Sequence, residues 1–205
     1  MDNTRKLQRL FRAPGNESID TVSDEDLIAS IAKRDKQALE LLFARHNVRV
    51  YRFVARFTGN SRVTEDVVSE VFLDVWRGAD RFRATSQVST WLFAIARYKA
   101  ISARKRHPEL HVDDNVAADV ADTADDPETS LHHSNRSALI RRCLMQLPQA
   151  QREILDLVYY HEKTVAEVAQ IVGIPPGTVK TRMFRARGRM AELLKGAGVN
   201  DMHAV

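Results

Sequence analysis

The sequence predicts an all-α protein, with two small helical domains joined by a flexible acidic linker and the C-terminal domain a helix-turn-helix. Three observations lead there. Apolar residues recur at spacings of three and four in successive stretches, and no stretch alternates apolar and polar for long enough to make a strand. Eight of the 27 acidic residues fall between Pro108 and Ser130, which holds no Lys or Arg, leaving 19 acids against 31 basic residues elsewhere. Like charges keep such a chain extended, so it reads as a tether between basic modules that suit a polyanionic partner. Thr164-Val165-Ala166-Glu167, Gly173 and Pro176 then follow one another as a capped helix, a tight turn and a new helix start.

Composition bounds the rest. A chain of 205 residues with 44% hydrophobic and 28% charged content can build one or two packed cores. Its single cysteine, Cys143, excludes an internal disulfide and a Cys-rich zinc site. The longest apolar run, Trp91 to Ala96, is far too short to cross a bilayer, and the N-terminal MDNTRKLQRLFR lacks the apolar stretch of a signal peptide. The expected location is therefore cytoplasmic and reducing, without membrane insertion.

Residues 1–22 are polar, contain Pro14-Gly15-Asn16 and read as a loose leader. Ser23 can cap a helix whose first turn holds Asp24, Glu25 and Asp26, where the positive end of the helix dipole favours acids. Leu39, Leu42, Phe43, His46, Val50, Phe53, Val54 and Phe57 form one face of a long helix, broken by turn chemistry at Thr58-Gly59-Asn60-Ser61. Val68, Val71, Phe72, Val75, Trp76 and Ala79 give a second face, ended by Gly78 and Asp80 and followed by a polar loop from Arg81 to Val88. Ser89 is expected to cap a third helix that closes in Arg104-Lys105-Arg106 before Pro108.

Past the linker, Leu139, Ile140, Cys143, Leu144 and Leu147 share a helical face closed by Pro148, and another helix is expected around Ile154 to Tyr160. The last two helices run from Val165 through Ile171 and from Pro176 to about Leu194, the second burying Val179, Met183, Ala186, Met190 and Leu193. The resulting organisation is a leader over 1–22, a first domain over 23–107, a linker over 108–130, a second domain over 131–195 with its helix-turn-helix at about 164–187, and a tail over 196–205.

The last helix carries Lys180, Arg182, Arg185, Arg187 and Arg189 against the single acid Glu192. Thr178, Arg182, Arg185 and Arg189 are expected to form a stripe opposite its buried face, with Lys180 and Thr181 beside it. In a helix-turn-helix the N-terminal end of the second helix enters the major groove, where arginine reads guanine and lysine serves bases or phosphates. A basic helix alone would fit a solvated bundle face equally well; the capping box, the glycine turn and Pro176 favour DNA binding. Arg97, Lys99, Arg104, Lys105 and Arg106 make a second basic helix near Phe82, Trp91, Phe93 and Tyr98. Cations beside aromatics suit single-stranded bases. Trp91, Phe93 and Tyr98 fit a core better, which leaves the Arg81–Val88 loop as the expected base contact. Asp66, Glu70 and Asp74 recur every four residues along the preceding helix, a solvated stripe unless a basic partner meets it.

Cys143 lies on a buried face and reads as a small core residue. His132-His133 stand nearly three helical turns from it, too far for one metal site, and His161-Glu162 lacks a second histidine at metalloprotease spacing. With no phosphate-cradling glycine loop and no catalytic constellation, neither a metal, a cofactor nor an enzymatic activity is expected.

Thr64 to Trp76 (TEDVVSEVFLDVW) resembles the polymerase-binding helix of bacterial extracytoplasmic-function sigma factors. Ser89 to Arg97 (STWLFAIAR) is similar to their next segment, which handles the minus-ten promoter element. Leu147 to Glu153 (LPQAQRE) and Gly177 to Arg187 (GTVKTRMFRAR) resemble the start and end of the family's second domain. The resemblance spans roughly Asp24 to Leu194, in order and with an acidic linker between. It implies a subunit that binds core RNA polymerase and supplies promoter recognition. Thr178, Lys180, Thr181, Arg182 and Arg185 would meet the minus-thirty-five duplex; Phe184 matches a contact position and could equally pack inward. Phe82, Arg83, Ser86, Arg97 and Lys99 would hold the opened minus-ten strand, the Phe82–Val88 loop receiving an extruded base. Asp66, Glu70, Asp74 and Trp76 would face the polymerase. An anti-sigma factor is the further partner the resemblance implies, and the linker would either thread the polymerase channel or serve as a plain tether. Pro175-Pro176 and Ser69 depart from the family pattern, which more often has a polar cap residue and glutamine there. The residues alone also admit a stand-alone helix-turn-helix regulator of duplex operators and, more remotely, a nucleic-acid enzyme.

Overall fold

A computed structural model describes residues 22–107 and 139–198, all helix, turn and loop. The chain divides into two compact units, Met1–Ala117 and Ala118–Val205. The acidic stretch at 108–130, the His132-His133 pair, most of the leader and most of the tail lie outside the described residues.

In the first unit, α1 (Asp24–Ala32) begins at Ser23, whose Oγ accepts the Asp26 amide at 3.1 Å. Asp35 caps α2 (Lys36–Thr58) by accepting the amides of Gln37 and Ala38. That helix ends where Gly59 takes a left-handed φ of 60°, which glycine adopts without the clash a Cβ brings. Asn60 then caps α3 (Ser61–Gly78) on the Val63 amide. A 3-10 turn (Ala79–Arg81) and a short loop lead to α4 (Val88–Arg106). The helix starts one residue before Ser89, and Gln87 at its cap position makes no side-chain cap hydrogen bond. Val88, only 1% exposed, seats the first turn in the core, which moves Ser89 inside the helix rather than to its cap.

Helices α2, α3 and α4 pack against one another, and α1 lies across α2 and the 3-10 turn. Phe53 is fully buried at their centre, edge-on to Phe57 and to Phe93 with ring centroids 5.1 Å away in each pair. A second cluster joins Leu27, Ile28 and Ile31 of α1 to Val75, Ala79, Val88 and Leu92, with Trp76, Phe82 and Trp91 packed on its margin. The sequence therefore places Phe93 and Trp91 correctly in packing. Tyr98, expected with them, is 71% exposed because its position on α4 points away from α2 and α3.

In the second unit, α5 (139–145) leads to α6 (Gln149–Tyr159), α7 (Val165–Val172) and α8 (Pro176–Gly196). Leu147, Leu155 and Ala186 form a core with Leu144, Met183, Met190 and Leu193 packed against it, and Cys143 is buried as expected. Among the described residues no helix is long and apolar enough to cross a membrane, and no group of His, Cys, Asp and Glu could hold a metal ion.

Candidate nucleic-acid and polymerase interfaces

The helix-turn-helix is built from local chemistry. Thr164 Oγ1 accepts the Glu167 amide at 3.3 Å while the Glu167 carboxylate accepts the Thr164 amide at 2.9 Å, so two amides that the helix start would orphan are satisfied. Lys163, only 6% exposed, donates to the same carboxylate at 2.9 Å. Gly173 ends α7 with φ 72°, its amide and that of Ile174 both reaching the Ala169 carbonyl. Pro176 opens α8, and as the sequence implies, no side chain caps that turn.

The orientation of α8 corrects the sequence reading. Val179 and Ala186 are fully buried, with Met183 and Met190 packed on the same side. At about 100° per residue the opposite face carries Gly177, Thr181, Phe184 and Gly188. Thr178, Arg182, Arg185 and Arg189 lie on its flank, and Thr178 and Arg182 are half-buried there. Lys180, Thr181 and Arg185 are exposed, and Phe184, 79% exposed, does not pack inward. Thr181 Oγ1 donates to the Gly177 carbonyl at 3.0 Å. Arg187 belongs to the fold: it donates to the Tyr159 hydroxyl at 2.7 Å and lies over that ring. What remains on the outer face is an aromatic ring among cations, which can combine phosphate attraction with apolar contact to a base edge.

In the first unit, Arg83 is exposed on the loop and Ser86 is half-buried. Phe82 is half-buried and packs on Trp91 with ring centroids 5.2 Å apart, so it forms the floor of the loop. Ala84 at the loop's tip has φ 52°, a conformation costly for a residue with a Cβ. Arg97 is half-buried on α4.

Lys99 does not point to solvent. Its ammonium lies 2.9 Å from Asp74 and 3.6 Å from Glu70, and Arg106 reaches Glu70 at 3.5 Å. The Asp74 hydrogen bond raises the Lys99 pKa above its ordinary value, against a smaller opposing effect of burial. Two expected polymerase contacts are thus tied to an expected DNA contact, while Asp66 is exposed one turn earlier. Trp76 is half-buried, with the Arg34 guanidinium 5.5 Å from its ring. Nothing in the periodicity of α3 or α4 announces these pairs; they appear only once the two helices are packed.

A deeper pair joins α1 to α2. Asp24 bridges Arg45 and His46, the His46 Nε2 lying 2.6 Å from its carboxylate. Burial holds the His46 pKa below its ordinary value, outweighing the attraction of Asp24.

The sigma-70 region 2 family model matches residues 42–108, and the sigma-70 region 4 model matches residues 137–190. The ECF RNA polymerase sigma factor SigM of Mycobacterium tuberculosis H37Rv is 33% identical over 183 residues, covering 87% of this chain and 89% of that protein. SigW of Bacillus subtilis 168, another ECF RNA polymerase sigma factor, is 31% identical over 180 residues, 82% of this chain and 95% of that one. Among solved structures, the Bartonella quintana sigma factor RpoE, crystallised with the anti-sigma factor NepR, has 26% identity and a TM-score of 0.53 over 72% of this chain and 90% of its own. This chain belongs to the extracytoplasmic-function family of RNA polymerase sigma factors.

Proposed function

We propose that the chain binds core RNA polymerase in the cytoplasm, without catalysing a reaction itself, and directs it to promoters through two separate DNA contacts. The observation that carries the reading is the outer face of α8, where exposed Thr181 and Phe184 stand between Lys180 and Arg185, just past the left-handed Gly173 turn. Such a face docks in the major groove of the minus-thirty-five duplex, with Thr178 and Arg182 on its flank. In the first domain, residues 23–107, the loop floored by Phe82 and Trp91 takes the extruded minus-ten base, and Arg83, Ser86 and Arg97 hold the opened strand. Lys99 acts there by neutralising Asp74 and Glu70. Asp66 and the outer edges of Glu70, Asp74 and Trp76 meet the polymerase. The second domain, residues 131–195, is reached through the 108–130 linker, and an anti-sigma factor covering these surfaces would hold the protein inactive.

Run-off transcription tests this directly. Purified chain added to core polymerase on genomic fragments yields discrete transcripts that neither component yields alone. Operator binding by the free chain, with no transcripts on adding core polymerase, would point to a stand-alone regulator and defeat the proposal.

A further inference from the structure

The turn between α1 and α2 contains a residue that its backbone disfavours. The Arg34 amide donates to the Ile31 carbonyl at 2.8 Å and the Asp35 amide to the Ser30 carbonyl at 3.1 Å. This pair of bonds defines a helix end whose penultimate position is left-handed and usually glycine. The α7 end uses Gly173 at φ 72°, whereas α1 has arginine at φ 70°. A Cβ in that conformation carries a steric cost that glycine avoids. Strain of this kind persists where the surrounding contacts over-determine it, and it points to a role for the side chain.

The Arg34 side chain reaches 42 residues along the chain. One guanidinium nitrogen donates to the Trp76 carbonyl at 2.7 Å, and the guanidinium carbon lies 5.5 Å from the Trp76 ring centroid. That carbonyl belongs to the last turn of α3, where the negative end of the helix dipole favours a cation. The residue after α3, Ala79, is right-handed and runs straight into the 3-10 turn, so no glycine closes this helix end. The next residue out of that turn is Phe82. Trp76, Phe82 and Trp91 all pack on the cluster that α1 shares with Val75, Ala79, Val88 and Leu92.

We propose that Arg34 is a positioning residue for promoter opening: by clamping the Trp76 end of α3 it sets the mouth of the Phe82–Val88 loop. The inference rests on the reading of that loop as the element that captures the extruded base. Extrusion is costly on duplex DNA and far less so on a strand already unpaired. A loop held in its receiving shape therefore matters when the enzyme must open the duplex, and little when the template is already open.

Arg34→Gly is the informative variant, because it removes the guanidinium and relieves the backbone at once, so folding survives. With the full chain, core polymerase and a promoter fragment recovered by run-off transcription, Arg34→Gly lowers open-complex formation about fivefold on duplex DNA, the order of one exposed cation–π contact. On the same fragment mismatched across the minus-ten element the loss is under about twofold, since extrusion is largely prepaid. Arg34→Lys keeps the charge without the planar face and falls between. Equal loss on both templates, or no loss on duplex, overturns the inference. Arg83→Ala, run alongside, separates the two ideas. If it is selective for duplex while Arg34→Gly is not, only the role of Arg34 fails; if it impairs neither template, the loop reading fails and takes the inference with it.

Discussion

Lys99 on α4 lies 2.9 Å from Asp74 on α3, joining a residue expected at DNA to one expected at the polymerase. The lysine side chain is 19% exposed and Asp74 40%, so solvent screens the pair and its contribution to stability is modest. Lys99→Met should lower the unfolding free energy by about 0.5–1 kcal/mol near neutral pH, measured by urea denaturation. The raised pKa sets the sign of the pH dependence. The contribution is complete below the ordinary lysine value of 10.5 and is lost as pH rises through the higher folded-state value. Variant and wild type should therefore converge in strongly alkaline buffer, and a gap that persists there would refute the ion-pair account.

His46 works in the opposite sense. Burial lowers its pKa against the pull of Asp24, with Arg45 and Arg49 adding to the lowering, so the unfolded chain takes up the proton first. Its contribution is complete above the ordinary value of 6.5 and is lost as pH falls from there towards the folded-state value. His46→Gln should flatten the fall in the urea midpoint between about pH 7 and about pH 5. An unchanged slope would assign that fall to other groups.

The helices were legible because each carries its own period and its own punctuation. Ser23, Gly59, Thr164, Gly173 and Pro176 act on their immediate neighbours, and local sequence states such effects directly. Contacts between helices were not legible. Lys99 reads as one more cation on a basic helix until α3 is laid beside it, and no local pattern ties Arg34 to Trp76, 42 positions away. The rotation of α8, by contrast, follows from its own period. With Val179, Met183, Ala186 and Met190 facing in, about 100° per residue sets the Thr178–Arg182–Arg185–Arg189 stripe on the flank and leaves Thr181, Phe184 and Gly188 on the opposite side.

The α7 cap isolates the second unit. Thr164→Ala removes the acceptor for the Glu167 amide and should cost about 1 kcal/mol. Gly173→Ala places a Cβ at φ 72°, in open space but in a strained backbone, and should cost about 1–2 kcal/mol. Both losses should appear in the thermal transition of the unit that holds α6 to α8 and leave the Trp76 and Trp91 fluorescence transition of the first unit where it was. Coincident shifts in both transitions would mean that the two units unfold together.

Phe184 and Arg185 are adjacent on α8 but should act through different forces. Phe184 is 79% exposed, so Phe184→Ala should change folding stability by less than about 0.5 kcal/mol. Its ring can meet the methyl group of a thymine in the major groove, whereas the Arg185 guanidinium can reach a phosphate or a guanine. Arg185→Ala at a phosphate should reduce the slope of log affinity against log salt by about one unit, since one fewer counterion is released. Phe184→Ala should weaken duplex binding by about 1 kcal/mol and leave that slope unchanged. Replacing thymine by uracil in the minus-thirty-five element removes the methyl alone. Wild type should lose affinity on that duplex while Phe184→Ala loses none, as expected when the second change deletes a contact already gone. Equal losses for the two proteins would place Phe184 away from the base edges and leave the cations to supply the whole of the upstream grip.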